Sequence, residues 1–205
     1  MAFSIYTPTM AATRDRIIVA TNELFRRHGY NGTSLSQISE AAEATIGSIY
    51  HFFPGGKEAL GVVVIDTTAG IYRELFESIA ADSPDPHSAF QSFFASAGEV
   101  LKASNFIDPC PIGTIAREVA NTNEALRQAA ERAFNSWIAS VELYLITAGI
   151  DPHSAGDLAV MFVTTVEGTF VVSRTLRSTA PLEAAARHIV TAIDVAPRPT
   201  QTTAR

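Results

Sequence analysis

Apolar residues recur along this chain at intervals of three and four, and nowhere in the two-residue alternation of a strand, so an all-α fold is expected. Ile17, Ala20, Leu24 and Phe25 share one face of a first helix from about Thr13 to His28, which Gly29 ends. Leu35, Ile38 and Ala41/Ala42 repeat the pattern in a short helix, and Ile49 and Phe53, four apart, in another. A long helix is expected from Lys57 to about Ala81, broken by Asp82-Ser83-Pro84-Asp85-Pro86. His87 to Lys102, Ile112 to Ala120 and Asn123 to Ala148 follow, with an irregular loop over Ser104 to Pro111. His153 to about Ser178 and Leu182 to Ile193 complete the set. Leu158, Ala159, Met161, Phe162, Val163, Val166, Phe170, Val171 and Val172 surround more than one face of their helix, which then needs cover on several sides. A monomer core would supply that cover, and so would a four-helix interface with a second copy, the preferred reading.

The two short helices have clear local signals. Thr33 or Ser34 can cap the first, and Ser34-x-x-Gln37 matches a capping box. Ala42-Glu43-Ala44 is the turn, Thr45 caps the second helix, and Pro54-Gly55-Gly56 stops it. With Ile49 and Phe53 packed inward, Ser48, Tyr50 and His51 face solvent or a ligand. A short helix braced by another across it suits the major groove of DNA, although an ordinary helical hairpin has the same pattern.

The run Gly47-Ser48-Ile49-Tyr50-His51-Phe52-Phe53-Pro54-Gly55-Gly56-Lys57-Glu58, with Arg14 to Ile18 and Leu24 to Tyr30 upstream, resembles the DNA-binding domain of the TetR family of repressors, in particular its LmrA/YxaF branch. Pro109-Cys110-Pro111-Ile112-Gly113-Thr114 is similar to the body of that branch. The resemblance implies a three-helix reader followed by a bundle of about six helices, divided as 1–12 flexible arm, 13–60 reader, 61–195 ligand-binding and dimerisation body, and 196–205 flexible tail. It places Thr45, Gly47 and Ser48 at the groove edge, Tyr50 and His51 on bases or phosphates, and Thr33, Ser34 and Lys57 on the DNA backbone. It implies double-stranded operator DNA, a homodimer and a small-molecule effector as partners, and the function of a ligand-released repressor. Three residues depart from the family pattern. Ile46 stands where Arg or Lys is frequent, Phe52 where histidine is frequent, and Glu43 where glycine is frequent in the turn.

The formal net charge of −6 argues at first against nucleic acid. Between Thr13 and Leu60, however, five basic residues balance five acidic ones, so the excess acid lies outside the reader. A modest salt dependence of DNA binding follows. A hydrophobic content of 47% supplies a full-sized core without staples. The single cysteine excludes an intrachain disulfide and suits a reducing compartment. Met1 to Ala12 lacks the basic and apolar regions of a signal peptide, and Leu158 to Ser173, interrupted by Glu167, is short for a membrane span. A cytoplasmic protein with no membrane association is expected.

In the body, Phe93, Phe94, Phe134, Trp137 and Phe162 are candidates to line an apolar effector pocket, with ordinary core as the plainer reading. Cys110 and Glu167 are ligand-binding candidates with them, although Cys110 reads equally as a small structural residue, in preference to an oxidant sensor, since no basic cluster lies near it in sequence. Glu167, among Val166, Gly168 and Phe170, needs a partner if buried. Arg174, Arg177, an interface and a ligand donor all qualify. Neither Glu-x-x-His, His-Glu-x-x-His nor Gly-x-Ser-x-Gly occurs, the five histidines follow no ligand spacing, and Gly55-Gly56-Lys57 lacks the rest of a phosphate loop. No enzyme activity, metal or cofactor is therefore expected. The alternative function is a helical small-molecule carrier that does not bind DNA, which would have no reason to keep the Thr45–His51 face polar and aromatic.

Overall fold

The structure is a computed structural model, and it describes residues 13–107 and 110–198. The arm expected over 1–12 lies outside the described residues. Nine helices and no strands occur among those described: α1 Thr13–His28, α2 Leu35–Ala41, α3 Ile46–Phe52, α4 Gly56–Asp82, α5 Pro86–Ala103, α6 Pro111–Val119, α7 Glu124–Thr147, α8 Pro152–Leu176 and α9 Ala180–Asp194. Each predicted helix is present, with ends shifted by one or two residues. The shifts at α5, α6 and α8 share a cause: proline fits the first turn of a helix, where its missing N–H is not needed.

α4 is the spine. Its 27 residues contribute to three successive cores. Leu60 packs with Ile17, Ile38, Ala42, Ile49 and Phe53 inside the head. One turn on, Val64, Ile65 and Ala69 join Phe25, Ile112, Ile115 and Leu126. Near its far end Phe76 and Ala80 enter the body core with Phe90, Phe94, Leu145 and Phe162. Residue 60, where reader and body were divided, is therefore an interior position of a continuous helix. Around it α7 packs along α4, α5 against α9, and α8 between α7 and α9.

The Ser34 capping box forms as read. The Ser34 hydroxyl accepts from the Gln37 amide at 3.3 Å, and the Gln37 side chain accepts from the Ser34 amide at 2.8 Å. The turn after α2 carries real strain, because Glu43 adopts φ +49°, a left-handed conformation that favours glycine. Arg16 holds this turn, donating to the Ala42 carbonyl at 3.1 Å and the Glu43 carbonyl at 3.4 Å. Glu43→Gly is expected to raise unfolding stability by about 0.5–1 kcal/mol, measured by urea denaturation. A loss of stability would show that the Glu43 side chain contributes more than its backbone costs.

Two sequence expectations change. The apolar stretch read as short for a membrane span belongs to a 25-residue helix that does meet the length and composition of one. The added length comes from the turns at Pro152 and Thr175. One side of α8 (Ala155, Ala159, Phe162, Val163, Val166) is buried in the body, while Val160, Met161, Val171, Val172 and Leu176 point outward. The start of the tail is also tied down: Pro197 accepts from the Asp151 amide at 2.9 Å, and Arg198 donates to the Ala148 carbonyl at 2.7 Å.

Candidate nucleic-acid interface and body cavity

α1 and α2 hold α3 on the surface of the head. Ile49 is fully buried and Phe53 nearly so, which fixes the rotation of α3 and turns Thr45, Ile46, Gly47, Tyr50 and His51 outward. Thr45 caps the helix, accepting from the Ser48 amide at 3.0 Å, and the Thr45 and Ser48 hydroxyls pair at 2.9 Å. Tyr50 is 51% exposed, and its ring runs so close to Gly56 that a Cβ there would meet it at 3.1 Å. His51 stands edge-on to Phe52 with ring centroids 5.0 Å apart. A cluster of hydroxyls, an imidazole, a phenol and the apolar Ile46 thus forms one continuous surface, able to meet base edges, thymine methyls and phosphate oxygens.

Two residues expected on the DNA backbone are otherwise engaged. Thr33 is 2% exposed and donates its hydroxyl to the Gly29 carbonyl at 2.8 Å. The Lys57 ammonium donates to the carbonyls of Tyr30 at 3.1 Å and Thr33 at 3.0 Å, and lies 4.3 Å from the centre of the Tyr30 ring. Thr33 closes the loop between α1 and α2 on itself, and Lys57 ties that loop to α4. Spacing set Lys57 at the right height but had no means of showing the carbonyls that take its protons. Ser34 is exposed, with its hydroxyl already in the capping box.

Below the head, a cavity of about 650 Å³ opens between α1, α4, α5, α7 and α8. Of the residues named from sequence as ligand-binding candidates, Phe93, Cys110, Trp137, Phe162 and Glu167 line it. Phe94 and Phe134 do not. Phe94 is buried in the body core, its ring 5.7 Å from that of Phe162, and Phe134 stands edge-on behind Trp137 at 5.6 Å. Sequence reasoning missed Asn22, Thr68, Tyr72 and Ser140, which add polar groups to the wall. Their contributions depend on how α1, α4 and α7 come together, and no local pattern marks them. Trp137 is fixed by its indole N–H, which donates to the Ala69 carbonyl at 2.9 Å.

Glu167 projects from α8 towards the start of α6, so near Gly113 that any Cβ at that position would collide with its carboxylate. Arg174 and Arg177 instead donate to the carbonyls of Phe106 and Asn105, both at 3.3 Å. Burial raises the Glu167 pKa to about 7, against the smaller opposing pulls of the Cys110 thiol, which hydrogen-bonds to it, and of Arg117. Burial, then the carboxylate charge, pushes the Cys110 thiol well up, away from the reactive thiolate form. The other end of α6 grips the head. Glu118 accepts from the Asn31 amide at 2.7 Å and fills the space beside Gly29, whose φ of +74° ends α1. One short helix therefore touches the cavity at its start and the head at its end.

The comparisons with known proteins cover both halves of the chain. Residues 17–61 match the family model of bacterial regulatory proteins of the tetR family. Residues 86–188 match the C-terminal domain of LmrA/YxaF-like transcriptional regulators. The chain is 32% identical over 170 residues to the uncharacterized HTH-type transcriptional regulator YxaF of Bacillus subtilis, covering 83% of this chain and 89% of that relative. It is 29% identical to the HTH-type transcriptional regulator LmrA of the same organism, covering 83% and 90%. Among solved structures, a TetR transcriptional regulator from Legionella pneumophila superposes with a TM-score of 0.79 at 25% identity, covering 90% of this chain and 98% of that one. The reduced form of Escherichia coli NemR shares the fold, with a TM-score of 0.75 at 21% identity over 92% of this chain and 100% of that one.

Proposed function

This chain belongs to the TetR family of helix-turn-helix transcriptional regulators, and on that premise we propose that it is a repressor which binds a palindromic operator as a homodimer and leaves it when a small, largely apolar effector fills the body cavity. The observation that carries the reading is the outward face of α3, where Thr45, Gly47, Ser48, Tyr50 and His51 lie together on a helix locked from behind by Ile49 and Phe53. Ser34, exposed at the start of α2, is the remaining contact to the DNA backbone, while Thr33 and Lys57 hold the loop between α1 and α2 in place.

The outward apolar residues of α8, from Val160 to Leu176, fit a copy of themselves across a twofold axis. Such a dimer would present two α3 helices to successive turns of the major groove, and would cover the helix that otherwise has the composition of a membrane span. A cytoplasmic setting suits both DNA binding and the single reduced cysteine. The effector acts by population shift: bound more tightly by the conformation with splayed heads, it lowers operator affinity by that difference. α6, seated between cavity and head, is the natural relay. The DNA-free carrier draws no support from the family of regulators the chain matches.

The test is a mobility shift with DNA from upstream of the protein's own coding sequence, at two salt concentrations and with a scrambled competitor. A specific complex of two protomers, or a multiple, with modest salt dependence is expected. Tyr50→Ala combined with His51→Ala is expected to weaken it at least tenfold, since each lost base or phosphate contact is worth about 1–3 kcal/mol. Unchanged retention by a folded, dimeric double variant would overturn the assignment of this face.

A further inference from the structure

The charged side chains of the cavity wall are matched, with one exception. Arg14 lies 3.9 Å from Asp15, Arg26 3.1 Å from Glu23, and Arg73 3.6 Å from Glu77. Glu167 stands apart: it makes no salt bridge among the described residues, and its hydrogen-bonding neighbour is the neutral Cys110 thiol. Arg117 acts on it only at a distance. The cavity wall to which it belongs also carries the rings of Phe93, Trp137, Phe162 and Phe170.

A carboxylate in such a wall is costly unless a positive or strongly donating group meets it. An anionic ligand would add repulsion, and a neutral apolar ligand would strip water from the carboxylate and return nothing. A ligand with an apolar body and one cationic nitrogen satisfies both parts of the wall: the nitrogen meets the carboxylate, and the rings offer their faces to the cation and their carbon to the body. We propose that the effector is a lipophilic amine, its protonated nitrogen seated on Glu167 and its hydrocarbon part against Phe93, Trp137 and Phe162. This rests on the reading of the cavity as the effector site. Because Glu167 abuts Gly113 and Cys110 where α6 begins, the cation would draw on the carboxylate at the end of the helix that also holds the head.

Three probes with one hydrocarbon tail separate the head-group chemistry: decylamine, decan-1-ol and decanoate, each titrated into the full-length protein. Trp137, the single tryptophan of the chain and part of the wall, reports by fluorescence, and calorimetry reports independently. At pH 8 an alkylammonium stays charged, as a lysine of pKa about 10.4 does, and a carboxyl titrating at about 7 is ionised. Decylamine is expected to bind about tenfold tighter than decan-1-ol, the worth of one charge-assisted hydrogen bond, with decanoate weakest. Glu167→Gln is expected to bring decylamine to the level of decan-1-ol. Equal binding of the amine and the alcohol to the unaltered protein would overturn the amine while leaving the cavity as a binding site. So would an amine preference that survives Glu167→Gln. If none of the three binds by either readout, the amine falls together with the reading of the cavity.

Discussion

Gly47→Glu is expected to lower operator affinity by about a hundredfold to a thousandfold while the protein melts no lower than before. The two halves of this expectation have separate causes. Within the fold the site is open, since a Cβ on Gly47 would meet only the Thr45 hydroxyl, at an ordinary contact distance of 3.6 Å. Replacing a helical glycine recovers up to about 1 kcal/mol of helix propensity, and an acidic residue in the first turn of a helix is favourable. On DNA the same side chain would occupy the closest approach of backbone to groove and set a carboxylate among phosphates. Like charges so placed cost several kcal/mol, which is the stated loss. Gly47→Ala, with bulk and no charge, should fall between. Thermal melting and a mobility shift on the same preparations check both halves. A Gly47→Glu protein that binds operator normally would mean that this edge of α3 does not enter the groove.

The second large effect concerns stability and pH. Glu167 titrates at about 7 in the folded protein against 4.5 for the ordinary side chain, because burial disfavours its charged form. The folded state therefore holds this proton more tightly than the unfolded state, and stability falls as pH rises. The cost is absent below about pH 4.5, grows through the interval up to about 7, and is then fully expressed. At about 1.4 kcal/mol per pH unit, the difference amounts to about 3 kcal/mol at most. Between pH 5 and pH 8 the unaltered protein is expected to lose about 2–3 kcal/mol more than Glu167→Gln, measured by urea denaturation. Parallel pH profiles for the two proteins would show that the carboxylate is better hydrated than its surroundings suggest.

The head was more legible than the body, and the reason is the range of the contacts. Ser34 and Gln37, Thr45 and Ser48, and Ile49 and Phe53 lie three or four residues apart, so helical geometry alone brings each pair together. Arg16 reaching the Ala42–Glu43 turn, and Glu118 reaching Asn31 across 87 positions, leave no such trace. In the body, Phe93 and Phe94 are neighbours on one helix, yet one lines the cavity and the other fills the core. Apolar periodicity marks the inward side of α5 but cannot separate a cavity wall from solid packing. A carboxylate is unexpected in an apolar run, which marks Glu167 in the sequence. Its surroundings came only with the fold, which turned Arg174 and Arg177 elsewhere and brought Gly113 and Cys110 to it.

All five cations of the head are occupied within the protein. Arg14 meets Asp15 and the Phe53 ring, Arg16 the turn after α2, Arg26 and Arg27 Glu23, and Lys57 two carbonyls. Attraction to bulk chromosomal DNA grows with the number of free cations. Each of these cations gives up a partner within the protein before it takes a phosphate, so the head is expected to gain less from DNA of arbitrary sequence than five free cations would. The search for the operator would then run mainly through solution, by repeated short collisions, with little sliding along the duplex.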